Sequence, residues 1–107
     1  MASGEIFQII TSPEAETDIQ TIVKDLIDKY SIASVTSWVN ELDRIQKRLA
    51  INPYQYQSYF LFVHRVNFRR FPYFIAYAVD SIDQEVEILM VAHQQQDPDR
   101  LLRRLNL

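Results

Sequence analysis

The stretch Val66–Pro98, VNFRRFPYFIAYAVDSIDQEVEILMVAHQQQDP, decides the fold of this chain. It reads as three strands in succession. The first, spanning about Phe62–Arg70, mixes large apolar and polar side chains at strand spacing. The second is Tyr73–Val79. The third, Glu85–His93, is rich in Val, Ile and Leu, as an interior strand is. In the first strand Phe62, His64, Val66 and Phe68 share the expected core face, and Val63, Arg65, Asn67 and Arg69 share the other. In the third, Val86, Ile88, Met90 and Ala92 alternate with Glu85, Glu87, Leu89, Val91 and His93. Arg69 and Arg70 stand where the first strand ends and His93 where the last one ends, so a sheet that gathers them is the first candidate for a functional surface.

Outward from this core, the N-terminal half reads as one strand and two helices. Glu5–Ile10 is a short strand. Ser12-Pro13 marks a helix start, with Ser12 as N-cap and Pro13 at the first helical position, where its missing N–H costs nothing. Glu14, Glu16 and Asp18 suit the positive end of the helix dipole. Ala15, Ile19, Ile22, Val23, Leu26, Ile27 and Tyr30 form one apolar face. Ser31 caps a second helix with the stripe Val35, Trp38, Val39, Leu42, Ile45 and Leu49. Asn40, Glu41, Asp43, Arg44, Lys47 and Arg48 are placed on its solvent side, and Asn52-Pro53 ends it. Helices joined this tightly form an antiparallel hairpin that covers a sheet face. Pro53–Leu61 is a connector, and Asp97-Pro98 starts a short terminal helix from Asp99 to about Leu105. The fold class is therefore α+β, in the order β-α-α-β-β-β: a helical hairpin on one face of a mainly antiparallel four-stranded sheet, then a short C-terminal helix.

Composition excludes several chemistries. The 107 residues include no Cys, so no disulfide or thiolate site exists, and the single Gly leaves no glycine-rich phosphate loop. His64 and His93 lack metal-ligand spacing, and no cofactor is expected. The length fits one domain over the whole chain, residues 1–107. No apolar run reaches the roughly 20 residues of a membrane helix, and no secretory signal opens the chain, so a cytoplasmic protein is expected.

Charge is segregated along the chain. The net charge is −3, yet Arg44, Lys47, Arg48, Arg65, Arg69 and Arg70 occupy a span from Arg44 to Val79 that holds no acid. Acids dominate before it, and Asp80–Asp99 carries acids alone. Two readings stand: surface charge that mixes in three dimensions, or a patch for phosphate or an acidic partner. Tyr54, Tyr56 and Tyr59 interleave with these arginines, either as a base-stacking surface or as the cap of a core. Arg69 and Arg70 are also placed to pair with Asp80, Asp97 or Asp99.

The chain resembles the RelE/ParE superfamily of bacterial type II toxins. The resemblance rests on RRFPYFIAYAVD followed by EVEILMVAHQQQDP, with SPEAETDI and NPYQY before them, and spans about Phe7–Pro98. RelE-like members are similar to ribosome-dependent mRNA endoribonucleases, whose chemistry needs a base, an acid and cations on a phosphorane-like transition state. The catalytic candidates for that role are His93, Arg65, Arg69 and Arg70. The set is depleted: Phe74 follows Tyr73, Gln94–Gln96 follow His93, and Gln96 stands where the family has Arg. The chain resembles the ParE-like branch better. That branch implies a growth-inhibiting toxin that binds DNA gyrase without catalysis, is neutralised by a cognate antitoxin, and forms a homodimer or a heterotetramer with it. Arg65, Arg69, Arg70 and Arg100 are then partner-binding residues. An inactive toxin-fold interaction module is the third reading.

Overall fold

The computed structural model describes residues 6–96 and 99–106. The expectations for Glu5, Asp97 and Pro98 lie outside the described residues. The element order is β1 (Gln8–Thr11), α1 (Pro13–Lys29), α2 (Ile32–Ile51), β2 (Ser58–Phe60), β3 (Val63–Asn67), β4 (Tyr73–Asp80), β5 (Glu85–His93) and α3 (Asp99–Arg104). The sheet runs β1-β5-β4-β3-β2, with β1 parallel to β5 and the other neighbours antiparallel. The α+β architecture is as the sequence reading has it, with five strands in place of four. The added strand is β2, inside the segment read as a connector. It pairs only Ser58 with His64 and Phe60 with Val63. So short and irregular an edge carries no hydrophobic period to detect.

Both helices start as their side chains dictate. The Ser12 hydroxyl accepts the Ala15 N–H at 3.1 Å, and the Ser31 hydroxyl accepts the Ser34 N–H at 3.2 Å. Ala15, Ile22 and Leu26 of α1 and Trp38, Leu42, Ile45 and Leu49 of α2 pack on Val66, Phe68, Ile75, Tyr77, Val86, Ile88 and Val91 of the sheet. Trp38 is fully buried and stacks on Phe68 with ring centroids 5.1 Å apart. Three residues assigned to the apolar stripes, Ile27, Tyr30 and Val39, are exposed instead. Tyr30 caps the end of α1 at the hairpin tip, and Ile27 lies one helical position past Leu26, about 100° around the axis.

The alternation along β5 holds to Ile88 and then breaks. Met90 faces Ala76 and Ile88 faces Tyr77, so Leu89 is an inserted residue, a β-bulge. Leu89 and Met90 consequently point to the same side. They join Val63, Phe74, Ala76, Ala92 and Leu101 in a second cluster on the opposite face, and Val91 returns to the helix face. Val63, assigned to the outer face of its strand, is fully buried in this second cluster, whereas Phe62 precedes the strand and is exposed.

The bulge lies where β1 runs out. Thr11 is the last β1 residue paired with β5, opposite Ile88. Beyond it the open edge of β5 is completed by side chains. Asp18 of α1, only 7% exposed, accepts the Val91 N–H at 3.1 Å, and Arg104 of α3 donates to the Leu89 carbonyl at 3.0 Å. The same Arg104 makes a bidentate pair with Asp18 at 2.8 and 3.1 Å, joined by Arg100 at 3.3 Å. Removing one partner of such a buried pair strands the other, so Asp18→Ala is expected to cost about 2–4 kcal/mol. Asp43→Ala, which breaks the exposed Lys47 pair at 3.0 Å, is expected to cost no more than about 0.5 kcal/mol. Urea denaturation of the two variants checks the contrast.

Candidate functional site

The sequence-derived candidates fall on three separate surfaces. The first lies between α1 and the end of β4–β5. There His93 pairs with Tyr73 across the strands, with ring centroids 5.4 Å apart, beneath Asp25 and Lys29 of α1. Two adjoining clefts of about 480 and 420 Å³ share Asp25, Lys29, Tyr73 and His93. Arg100 borders the larger one and is tied to Asp18 at 3.3 Å. The His93 Nδ1 accepts the Gln95 N–H at 3.2 Å. A neutral imidazole that accepts through Nδ1 carries its proton on Nε2, so neither ring nitrogen keeps the free lone pair that a general base needs.

Tyr73 is perturbed in the same place. Partial burial raises its pKa above the usual phenol value, and the negative charge of Asp25 and the neighbouring Tyr30 add to the effect. Tyr77, farther along β4 and fully buried, is raised more strongly, first by burial and then by Tyr56. Its hydroxyl donates to the Pro53 carbonyl at 2.6 Å, which fastens the end of α2 to the sheet. His64 stacks on Tyr77 with rings 5.3 Å apart, and its Nδ1 lies 3.3 Å from the Tyr56 carbonyl. A carbonyl only accepts, so Nδ1 carries the proton there.

The second surface is the opposite sheet face. Arg65 lies with its guanidinium 3.9 Å from the Phe74 ring centroid and 5.2 Å from that of Tyr59, and its Nε donates to Asn67 Oδ1 at 3.0 Å. This arginine covers the aromatic cluster beneath it.

The third surface holds Arg69 and Arg70, in the turn from β3 to β4. Glu41, which the sequence reading placed on the solvent side of α2, is 4% exposed. Its carboxylate accepts the backbone N–H groups of Arg69 and Arg70. Helical spacing alone put Glu41 beside Asn40, yet the turn after β3 folds over it. The signal for its role was an acid on α2 one position before the buried Leu42. Arg69 and Arg70 take part in no ion pair among the described residues. Asp80 instead closes its own turn by accepting the Ile82 and Asp83 N–H groups, each at 3.0 Å. The fold thus keeps His93 apart from Arg65, which is on the other face, and from Arg69 and Arg70, which border α2.

This geometry has the company of known proteins. Residues 9–98 match the family described as the ParE toxin of the type II toxin-antitoxin system, parDE. The chain belongs to the ParE toxin family. Its fold is similar to that in the structure of a chromosomal ParDE system from P. aeruginosa (TM-score 0.71, 15% identity, covering 84% of this chain and 98% of that one). It is also similar to a mutant of the E. coli toxin RelE in the free state (0.62, 10%, covering 92% and 93%). A third is the RelBE2 toxin-antitoxin complex from Mycobacterium tuberculosis (0.57, 17%, covering 82% and 98%). No curated protein matches the chain by sequence. As a type II toxin by family, it has no helix among the described residues long and apolar enough to cross a membrane.

Two outcomes follow for this part of the ParE-family chain. Both tyrosines favour their neutral form when folded, so the stability they contribute is complete below the unfolded tyrosine value of about 10. It is lost as pH rises through the folded values. Ultraviolet titration of the native protein is expected to leave Tyr73 and Tyr77 un-ionised at a pH where a free phenol has titrated, with both appearing on unfolding. Glu41→Ala strands two backbone donors and is expected to destabilise by about 1–3 kcal/mol. Hydrogen exchange is expected to speed up first at the Arg69 and Arg70 amides.

Proposed function

We propose that this ParE-family toxin inhibits growth by binding an essential target, DNA gyrase by the family resemblance, without catalysis of its own, and that a cognate antitoxin neutralises it. One observation carries the reading: the four candidate catalytic residues lie on three surfaces, His93 under α1, Arg65 on the opposite sheet face, and Arg69 and Arg70 beside α2. Ribonuclease chemistry needs base, acid and cations around one phosphate. A binding surface has no such requirement. Arg65, Arg69, Arg70 and Arg100 are the partner-binding residues of this proposal. The clefts under α1 offer the antitoxin a mixed-charge seat, in which a disordered segment orders as it binds. The two related complexes named above, ParDE and RelBE2, pair a toxin with an antitoxin.

Induction in cells, with plasmid supercoiling and primer extension on translated messages followed in parallel, tests the target. Loss of supercoiling with intact messages is expected. Cleaved messages with normal supercoiling would instead establish the RelE-like nuclease, and unaffected growth would establish a non-toxic interaction module. The variant His93→Gln sharpens the distinction. It is expected to leave growth inhibition within about tenfold of the parent, whereas loss of a general base costs about 10²–10⁴-fold.

A further inference from the structure

The cleft between α2 and the turn joining β3 to β4 is unlike the others. It is lined by Glu41, Arg44, Arg48, Arg69 and Arg70 and encloses about 570 Å³. Arg44 and Arg48 stand one helical turn apart on α2, and Arg69 and Arg70 face them from the turn. The acid among these residues, Glu41, has its carboxylate engaged by the Arg69 and Arg70 backbone amides. Among the described residues no carboxylate forms an ion pair with any of the four guanidinium groups. Arg48 is oriented by a hydrogen bond from its Nε to the Tyr56 hydroxyl at 3.1 Å, which leaves its terminal nitrogens free to face the cleft. Glu41 and Tyr56 therefore pre-arrange the cations without neutralising them. Like charges that line one cleft repel one another, and an anion seated among them offsets that repulsion.

We propose that this cleft is a phosphate-binding site that takes the phosphodiester backbone of a nucleic acid. Its lining separates this ligand from other anions. Among the described residues no apolar side chain lines it, so the cleft itself offers a peptide no seat for a buried apolar anchor. Among the same residues no aromatic ring lines it either, so a base has no stacking platform there and only phosphate is read. Guanidinium forks suit phosphate oxygens bidentately. Binding at such a site is independent of sequence and driven by counterion release. It goes beyond the toxin reading above and holds whichever intracellular target the chain engages.

Fluorescence anisotropy with the purified full chain tests it, using a labelled DNA duplex and an RNA of about 20 nucleotides at salt from about 50 to 200 mM. Both nucleic acids are expected to bind, with affinity falling steeply as salt rises. The exposed pair of substitutions Arg44→Gln with Arg70→Gln is expected to weaken binding at least tenfold at low salt. With the duplex it is also expected to flatten the log–log salt slope by about 1.8, near 0.9 per lost phosphate contact. The equal charge change Lys24→Gln with Arg103→Gln, at exposed sites outside the cleft, is expected to alter affinity by less than twofold. Tripolyphosphate is expected to compete and polyglutamate is not. An equal loss in the Lys24/Arg103 variant would overturn the site in favour of net charge, and effective competition by polyglutamate would overturn it in favour of an acidic protein. Tripolyphosphate binding without nucleic-acid binding, or no binding at all, would also overturn it. Growth inhibition is not part of the readout, so its failure is distinct from failure of the toxin assignment.

Discussion

The Asp18 carboxylate is where α1, β5 and α3 meet, and the sheet depends on it. β1 covers the edge of β5 only as far as Ile88. Past that point an interior strand becomes an edge, and its buried amides and carbonyls need partners. Asp18 takes the Val91 N–H, Arg104 donates to the Leu89 carbonyl, and the two side chains hold each other. A buried ion pair is weak evidence of stability on its own, because desolvation offsets its attraction. Here both members also satisfy backbone groups, which tips the balance. The same contact docks α3, whose Leu101 is buried in the second apolar cluster.

Glu41 repeats the device at the other helix. An acid on the inner side of α2 accepts backbone amides of the turn after β3, as an acid on the inner side of α1 accepts one from β5. The helical hairpin is thus attached to the sheet by apolar packing along its length and by one carboxylate from each helix. The consequences differ. Asp18 is surrounded by arginines that it neutralises, whereas Glu41 positions arginines and leaves them charged. One contact closes a sheet edge and the other prepares a cationic cleft.

The candidate surface changes character accordingly. Arg69, Arg70 and His93 stand at ends of strands and read as one group along the chain. In the fold, strand ends on the same side of a sheet still diverge when their side chains leave toward different helices. His93 turns to α1, Arg69 and Arg70 border α2, and Arg65 lies on the opposite face of the sheet. Function is placed by such side chains and not by the fold that carries them.

The amino-acid sequence by itself determined the two capped helices, the order of the elements other than β2, the α+β class and the family. Those features rest on local rules: Ser12 and Ser31 bond to amides three residues away, and Pro13 and Pro53 restrict their own neighbourhoods. Only the tertiary structure decided the faces of β5 after Ile88, the short edge strand β2, the burial of Asp18 and Glu41, and the company that each arginine keeps. A bulge shifts alternation by one residue without any mark in composition. A carboxylate on a helix reads as solvated until another segment brings an unpaired amide against it. Both depend on contacts between residues far apart in sequence: 73 positions separate Asp18 from Val91 and 28 separate Glu41 from Arg69. No local period records them.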